Sequence, residues 1–292
     1  MTTLAVVGGL SVDHIVVAPV TARFDRLGGP GLYAALGARL VAGTLVRLHT
    51  ALPESEPDFA TTLNSAGIDI THCVEVPDVP RVWILDSPHG RRVVSAAPPT
   101  GIELDAPEPE PEHGRPALVD GVDGVLLCSP RALDVQAGAV VGVDPDQREV
   151  ARHGLAYWHS IAVPGGVLLP SRVQLAGLAP DPRQAARHLA TTTGVAVVAR
   201  LDRDGAYAVA PDGRSWSVRD EHVELIDATG AGDASAGATV AALSAGADLA
   251  AATALGVSVA RVVLSGWGHT ALVNHPPLAG PLPGVHVDGG TP

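Results

Sequence analysis

Residues 224–237 read ELIDATGAGDASAG, and this stretch says most about the fold. An apolar segment ends in a Gly-Ala-Gly turn, and the small residues that follow predict a helix with Asp233 in its first turn. A helix start has unpaired N–H groups and a partial positive charge, and glycines let a phosphate approach the backbone. A carboxylate beside such a site can deprotonate a hydroxyl that receives a phosphoryl group. Helix packing and dipole compensation also produce this pattern.

The composition limits the class of protein. The chain has 292 residues, 46% of them apolar, which predicts one large α/β domain with a modest appendage. The formal net charge of −12 argues against a nucleic-acid partner. All 19 basic residues are Arg, so a Walker-type phosphate Lys and a Schiff-base mechanism are excluded. An enzyme of this composition must neutralise phosphate with Arg, metal ions and backbone N–H groups.

The cysteine, histidine and apolar patterns favour a cytoplasmic protein. Cys73 and Cys128 are far apart and lack Cys-x-x-Cys spacing, which indicates two free thiols. The 12 His residues show no zinc-type cluster. The first nine residues predict a strand rather than a signal peptide, and no apolar run is long enough to span a membrane. We therefore expect no membrane partner.

Short apolar strands alternate with helical patterns along most of the chain. The predicted strands are residues 4–7, 46–52, 124–128, 140–143, 166–169 and 195–199, and the predicted helices include 32–41, 58–66, 231–245 and 248–264. This alternation predicts an α/β fold with a doubly wound, mainly parallel sheet flanked by helices. Such sheets bind ligands beyond the carboxyl ends of their strands, where Asp144, Ser171, Asp202 and Asp233 are expected to converge.

A hairpin pattern interrupts the alternation. Residues 81–85 and 91–95 flank a turn-rich segment, which predicts a small β lid. Residues 98–116 are rich in Pro and Glu and predict an exposed connector. The predicted domain division assigns residues 1–14, 28–72 and 98–275 to a nucleotide- and substrate-binding core, residues 15–27 and 73–97 to the lid, and residues 276–292 to a loosely packed tail.

The opening stretch resembles the C-terminal signature of the ribokinase-like (PfkB) carbohydrate kinases, D-T-x-G-A-G-D. Ala228 stands at the second position in place of Thr. The resemblance implies that Asp233 is the catalytic base and that the backbone of Gly230, Ala231 and Gly232 forms the anion hole. It places Thr229 on the nucleotide side of the site. It also implies that Asp227 helps to form a monovalent-cation site, with K⁺ as the candidate ion.

The resemblance extends to residues that contact the acceptor in this family. The segment GGLSVD at residues 8–13 is similar to the family's first strand, which makes Asp13 the acceptor-binding carboxylate. Gly28 and Gly29 match the glycine pair whose amides approach the substrate. The family's Asn is replaced by Tyr33, and with residues 26–27 (Arg-Leu) this form resembles the inositol-kinase branch. Asp144 begins a segment that is similar to the family's D-x-N-x-R.

Two segments on the nucleotide side depart from the family pattern. Its N-x-x-E motif, which organises Mg²⁺ through water, appears here as Ser171 and Gln174, so Mg²⁺ must rely more on the nucleotide phosphates. Its T-L-G-x-x-G segment appears as RLDRDG, residues 200–205. Arg200 supplies positive charge near the phosphates, and Gly205 keeps its place. Asp202 is repulsive if it points inward, and a surface salt pair with Arg200 or Arg203 is the alternative.

These patterns favour an ATP-dependent kinase, with ATP and Mg²⁺ as cofactors, that phosphorylates a small polyhydroxylated acceptor. A sugar or a cyclitol such as an inositol suits Asp13 and the glycine pair. One alternative is a nucleoside kinase of the same fold, with Tyr33 and Trp83 as the aromatic residues available to contact a base. A catalytically weak ligand-binding homologue is another. Lid sheets in this family often pair between subunits, which makes a homodimer an expectation.

Overall fold

A computed structural model describes residues 1–17, 21–87, 90–95, 119–130 and 138–290, so the predicted connector lies outside the described residues. The helices are α1 (Pro30–Ala38), α2 (Asp58–Ser65), α3 (Gln147–His153), α4 (Leu155–Ile161), α5 (Arg172–Leu175), α6 (Pro182–Thr193), α7 (Ala231–Ser244), α8 (Leu249–Leu264) and α9 (Thr270–Asn274). The strands are β1 (Thr2–Val7), β2 (Ser11–Val17), β3 (Thr21–Gly28), β4 (Thr44–His49), β5 (Ala51–Pro53), β6 (Val74–Val76), β7 (Arg81–Ser87), β8 (Gly90–Ser95), β9 (Gly124–Cys128), β10 (Val140–Asp144), β11 (Val167–Leu168), β12 (Ala196–Arg200), β13 (Ala206–Val209), β14 (Ser215–Asp220) and β15 (Val285–Gly289).

The main sheet runs in the order β15-β14-β13-β12-β11-β10-β9-β1-β4. The strands from β4 to β12 in this order are parallel, and β13, β14 and β15 continue the sheet in antiparallel pairing. The carboxyl ends of β10 and β12 therefore lie at one edge, separated by the short β11. This architecture confirms the predicted α/β class with a mainly parallel sheet.

Helices cover both faces of this sheet, because alternate strand residues point to opposite sides. Leu4 and Val6 of β1 pack in a core with α1, α7 and α8. Ala5 of the same strand belongs to a second core, where α4 and α6 contribute Trp158, Ile161 and small residues. None of the described helices combines the length and the apolar character needed to cross a bilayer.

Helices α1 and α7 pack unusually closely because each presents a glycine to the other. A Cβ on Gly237 of α7 would lie 2.0 Å from the carbonyl oxygen of Ala34, and one on Gly37 of α1 would lie 2.2 Å from that of Ala234. Real Cβ atoms do not approach backbone so closely. The close packing holds the start of α7 against Tyr33 of α1.

A small sheet in the order β3-β2-β7-β8 corresponds to the predicted lid. Its hairpin, β7 and β8, lies where the sequence predicted it. The sheet begins at Ser11 rather than at residue 15, so Asp13 lies on a lid strand and not in the core segment. Residues 74–76 pair with β5 in a separate sheet, although the sequence placed them in the lid.

The prediction of a loosely packed tail over residues 276–292 is wrong for much of that segment. Residues 285–289 form β15, which hydrogen-bonds to β14 as the edge strand of the main sheet. Leu278 is buried and forms a bridge to Val41. The Pro and Gly content suggested a surface loop, but an unpaired edge of β14 accepts this strand in the folded chain.

Candidate active site

The start of α7 forms the centre of the candidate site. Gly230 precedes the helix with φ 77°, in the left-handed region that glycine adopts without strain. Asp233 lies half-buried in the first turn, where a negative charge is favoured by the helix dipole. The Ala231 N–H already donates to Ala228 O at 3.3 Å. One amide of the anion hole predicted from Gly230, Ala231 and Gly232, that of Ala231, therefore already has a hydrogen-bond partner.

Tyr33 lies directly against the turn. Its side chain is buried, and a Cβ on Gly230 would be 2.1 Å from its ring, so only glycine fits there. The backbone N–H of Tyr33 donates to Gly29 O at 3.3 Å. Tyr33 thus connects the glycine pair to the start of α7 and fills space beneath the turn.

Asp13 and the glycine pair form the acceptor side of the site. Asp13 is 3% exposed and accepts a hydrogen bond from the Ser11 hydroxyl at 2.7 Å. A Cβ on Gly28 would lie 2.0 Å from Asp13 Oδ2, so the missing side chain makes room for the carboxylate. Gly29 has φ 95° and packs on the backbone of Leu10. The positioning of Asp13 by Ser11 is a contact that the sequence reading missed, although Ser11 lies only two residues away.

Arg200 and Asp144 meet at the carboxyl edge of the main sheet. The Arg200 guanidinium donates to both carboxylate oxygens of Asp144, at 2.7 Å from Nη1 and 2.6 Å from Nη2. Nη1 is also 3.0 Å from the place where a Cβ on Gly232 would lie. The sequence assigned Arg200 to the nucleotide and Asp144 to the acceptor, but the structure pairs the two side chains with each other.

The surroundings of this pair are strongly charged. Burial lowers the pKa of Arg200, but the adjacent Asp144 carboxylate outweighs that effect and the net pKa is raised, so the guanidinium stays cationic. Asp233 is close enough to add to this effect. Burial also raises the pKa of the Cys128 thiol, and Asp144 and Asp233 raise it further. The buried Cys128 thiol therefore stays neutral beside the site, and its spacing in the sequence did not predict this position.

The Asp227 carboxylate links the loop that precedes α7 to the loop that precedes α9. It accepts from Thr229 N–H at 2.9 Å and from Gly268 N–H at 3.1 Å. Asp227 and Thr229 are both buried, which suits a structural clasp. The predicted monovalent-cation role of Asp227 and the predicted nucleotide contact of Thr229 remain predictions.

Ser171 and Gln174 form a capping box at the start of α5. The Ser171 hydroxyl accepts from Gln174 N–H, and Gln174 Oε1 accepts from Ser171 N–H at 2.7 Å. Gln174 Nε2 donates to Pro145 O at 2.7 Å, so the buried amide is used on both sides. The spacing S-x-x-Q is itself a capping signature, although it was matched above only to the family's N-x-x-E motif, as a departure that lacks the carboxylate.

Ser171 and Gln174 supply no carboxylate to a magnesium ion. In the described part of the chain, no group of three or more His, Cys, Asp or Glu side chains is arranged to hold a metal ion. The expectation that Mg²⁺ relies more on the nucleotide phosphates and water stays a prediction.

Asp202 points away from the site. Arg172 holds it, with Nε 3.2 Å from Asp202 Oδ2, and also pairs with Asp204 and donates to Leu201 O. Asp202 does form a surface salt pair, but its partner is Arg172, so the predicted pairing with Arg200 or Arg203 is wrong. Gly205 has φ 79° and packs against Val218 O, which shapes the turn.

The structure thus brings most predicted residues into one row. It runs from Asp13 through the glycine pair and Tyr33 to Gly230, and then through Gly232 to the Arg200–Asp144 pair. Asp202 lies outside the row. Ser171 and Gln174 lie beside the row at the start of α5, where Ser171 forms a bridge to Arg200 and Gln174 donates to Pro145 O.

Comparisons with known proteins show what the chain is similar to. Residues 173–274, which include α7 and its turn, match the model of the pfkB family carbohydrate kinases. Over that segment the chain is similar to these kinases, and the match supports a phosphotransferase that acts on a hydroxyl group. A comparison with curated protein sequences found no match.

Solved structures show that the chain has a ribokinase-like fold. Ribokinase from Cryptococcus neoformans var. grubii serotype A in complex with ADP is 16% identical, with TM-score 0.66 over 95% of this chain and 97% of that one. A nucleoside kinase from Methanocaldococcus jannaschii is 15% identical, with TM-score 0.66 over 95% of each chain. A putative ribokinase II from E. coli in complex with ATP and Mg²⁺ is 16% identical, with TM-score 0.67 over 92% of this chain and 94% of that one.

Proposed function

We propose that this protein is an ATP-dependent kinase that phosphorylates a hydroxyl of a small sugar or cyclitol. The observation that carries the proposal is the placement of Asp233 in the first turn of α7, beside the glycine turn and within the electrostatic reach of Arg200. A base, an anion site and a fixed positive charge are the components that phosphoryl transfer requires.

In the proposed reaction Asp233 takes the proton from the acceptor hydroxyl. The hydroxyl oxygen forms a bond to the γ-phosphorus while the bond from that phosphorus to the β,γ-bridging oxygen breaks. ADP leaves with the electron pair, and the transferred group stays on the acceptor. The amide of Gly232 faces the developing negative charge. Magnesium enters with the nucleotide as part of the substrate, as the complex of the E. coli neighbour with ATP and Mg²⁺ illustrates for that protein.

The acceptor proposal rests on where the aromatic side chains lie. Tyr33 is buried with its ring against Gly230, so it offers no open face to a nucleobase. Trp83 packs with His14 and Phe24 on the lid, at ring distances of 4.8 and 6.0 Å. Asp13 and the glycine pair instead present polar groups suited to hydroxyls. ADP release measured with sugars, inositols and nucleosides tests this, and turnover confined to nucleosides would contradict the acceptor class.

Replacing Asp13 by Asn is expected to lower kcat/KM for the acceptor by about 10–100-fold, because a charged acceptor of hydroxyl hydrogen bonds is lost. The KM for ATP should stay unchanged. Steady-state kinetics with each substrate varied in turn measures both. Asp212→Asn is the control, since Asp212 is exposed in the turn between β13 and β14 and pairs only with Arg214 in the described contacts. An equal loss for both substrates would contradict the acceptor role.

We also propose that the lid pairs two copies of the chain. Its strands expose large apolar side chains: Phe24 is 54% exposed, Val94 48% and Trp83 36%. Val94 pairs with Trp83, which packs on Phe24, so the three share one exposed apolar face, and such a face favours association. Val94→Glu is expected to convert a dimer into a monomer in sedimentation equilibrium. Val173→Glu, at an exposed valine that lies on α5, should leave the dimer intact. A monomeric unsubstituted protein would contradict the proposal.

A further inference from the structure

The Arg200 guanidinium lies between a carboxylate and the glycine turn. Asp144, at the end of β10, holds it by two hydrogen bonds, and Gly232 leaves open the space next to Nη1. Strands β10 and β12 are parallel and end at the same sheet edge, which brings the two side chains together although 56 positions separate them. A fork-shaped, two-point pair of this kind fixes the plane of the guanidinium.

This pair leaves several N–H donors of the guanidinium unused. The Arg200 and Asp144 side chains are 14% and 9% exposed, and Arg200 Nε is buried without a hydrogen-bond partner among the described residues. An unpartnered buried donor is costly and is therefore uncommon in a finished structure. The guanidinium that carries this donor lies beside Gly232 in the first turn of α7, with Nη1 nearest to it.

The chain also needs a cation at this position. It contains no Lys, and the neighbouring Arg172 is already paired with Asp202 and Asp204. The segment that matches the magnesium motif of the family is occupied as a capping box. Arg200 is a permanent positive charge that lies beside Gly232 of the glycine turn.

We propose that Arg200 binds the transferred phosphoryl group and that Asp144 positions Arg200 rather than the acceptor. This inference rests on the proposed kinase function and adds a phosphate-binding residue to it. An oxygen of the γ-phosphoryl group accepts from Arg200, and Gly232 lets that oxygen come close because it has no side chain. Asp144 then keeps the orientation of the guanidinium plane fixed while the phosphoryl group is transferred. The family's carboxylate motif brings positive charge to the site indirectly, through the metal ion that it organises. Arg200 supplies positive charge at this point directly.

The test compares nucleotides that differ in the γ-phosphate. Isothermal calorimetry with a non-hydrolysable ATP analogue and with ADP, each with and without Mg²⁺, gives the affinities. Arg200→Gln is expected to weaken binding of the analogue by about 10–100-fold and binding of ADP by less than about 3-fold, because only the analogue carries the contacted group. Arg200→Lys should recover part of the loss. Arg203→Gln, an exposed Arg in the same segment, should match the unsubstituted protein.

Positioning by Asp144 has its own signature. Asp144→Asn leaves Arg200 charged but fixes the orientation of its guanidinium plane less firmly. We therefore expect kcat to fall by at least about 10-fold while affinity for the analogue changes by less than about 3-fold. Arg200→Gln alone leaves Asp144 buried and unpaired. The double variant Arg200→Gln, Asp144→Asn restores a neutral pair, and the same selective loss of analogue binding is expected from it.

Two results overturn the inference: equal weakening of the analogue and of ADP in the folded double variant, or unchanged affinity for both. Failure of the unsubstituted protein to bind the analogue also overturns it. The kinase proposal is tested separately. If the unsubstituted protein phosphorylates an acceptor and Arg200→Gln leaves analogue binding intact, only the phosphate role of Arg200 fails. If analogue binding depends on Arg200 but no acceptor is phosphorylated, only the proposed function fails.

Discussion

Asp233→Asn is expected to lower turnover by about 10²–10⁴-fold, which is the usual contribution of a general base. The substitution keeps the shape of the side chain and its place in the first turn of α7 but removes the group that takes the proton. Binding of an ATP analogue should be unchanged or tighter, because a negative charge beside the phosphates is removed. Coupled measurement of ADP release gives the first quantity, and calorimetry gives the second.

Asp212→Asn is the matched control for this variant. Asp212 lies in the turn after β13, which runs away from the edge where β12 ends at Arg200, so the same change of charge occurs at the opposite edge of the sheet. Its turnover should equal that of the unsubstituted protein. Near-normal turnover of Asp233→Asn would contradict the assignment of the base. A parallel loss of analogue binding would point to a damaged site instead.

Gly237→Ala is expected to destabilise the protein by about 1–3 kcal/mol or more, the range found when an extra group is forced into a packed interior. The added Cβ would lie 2.0 Å from Ala34 O, and neither helix backbone can yield locally. For a chain of this size that loss corresponds to a fall in Tm of roughly 2–12 °C. Thermal unfolding followed by circular dichroism measures it. Activity should fall too, because separation of α1 and α7 displaces the turn next to Tyr33.

Gly177→Ala gives the comparison for that substitution. Gly177 follows α5 with no atom within 4 Å of the added Cβ and no left-handed backbone, so the change should stay within about 0.5 kcal/mol. Equal Tm values for the two variants would contradict the claim that the α1–α7 contact requires glycine.

Much of the fold follows from local patterns. The strand at residues 124–128 and the helix that begins at Ala231 were predicted with correct starts, because apolar runs and glycine turns act over a few residues. The lid hairpin could be predicted from the sequence for the same reason. The capping box at Ser171 was also readable from its spacing, but resemblance to a magnesium motif led to another interpretation.

The arrangement of charges was not predictable in this way. The sequence contains several Asp and Arg residues at strand ends, and nothing in their spacing says which carboxylate pairs with which guanidinium. Arg200 pairs with Asp144 because the parallel pairing of β10, β11 and β12 places both side chains at one edge of the main sheet. Asp202 is held at the surface by Arg172, the first residue of α5.

The sequence by itself therefore determined the α/β class, the lid and the phosphate-type turn before α7, since these depend on short-range periodicity and backbone preference. Only the tertiary structure decided that Asp13 lies on the lid sheet, that residues 285–289 complete the main sheet and that Arg200 faces Gly232. These features depend on contacts between residues far apart in the chain, and such contacts form only when the sheet edges and the two glycine-bearing helices have come together.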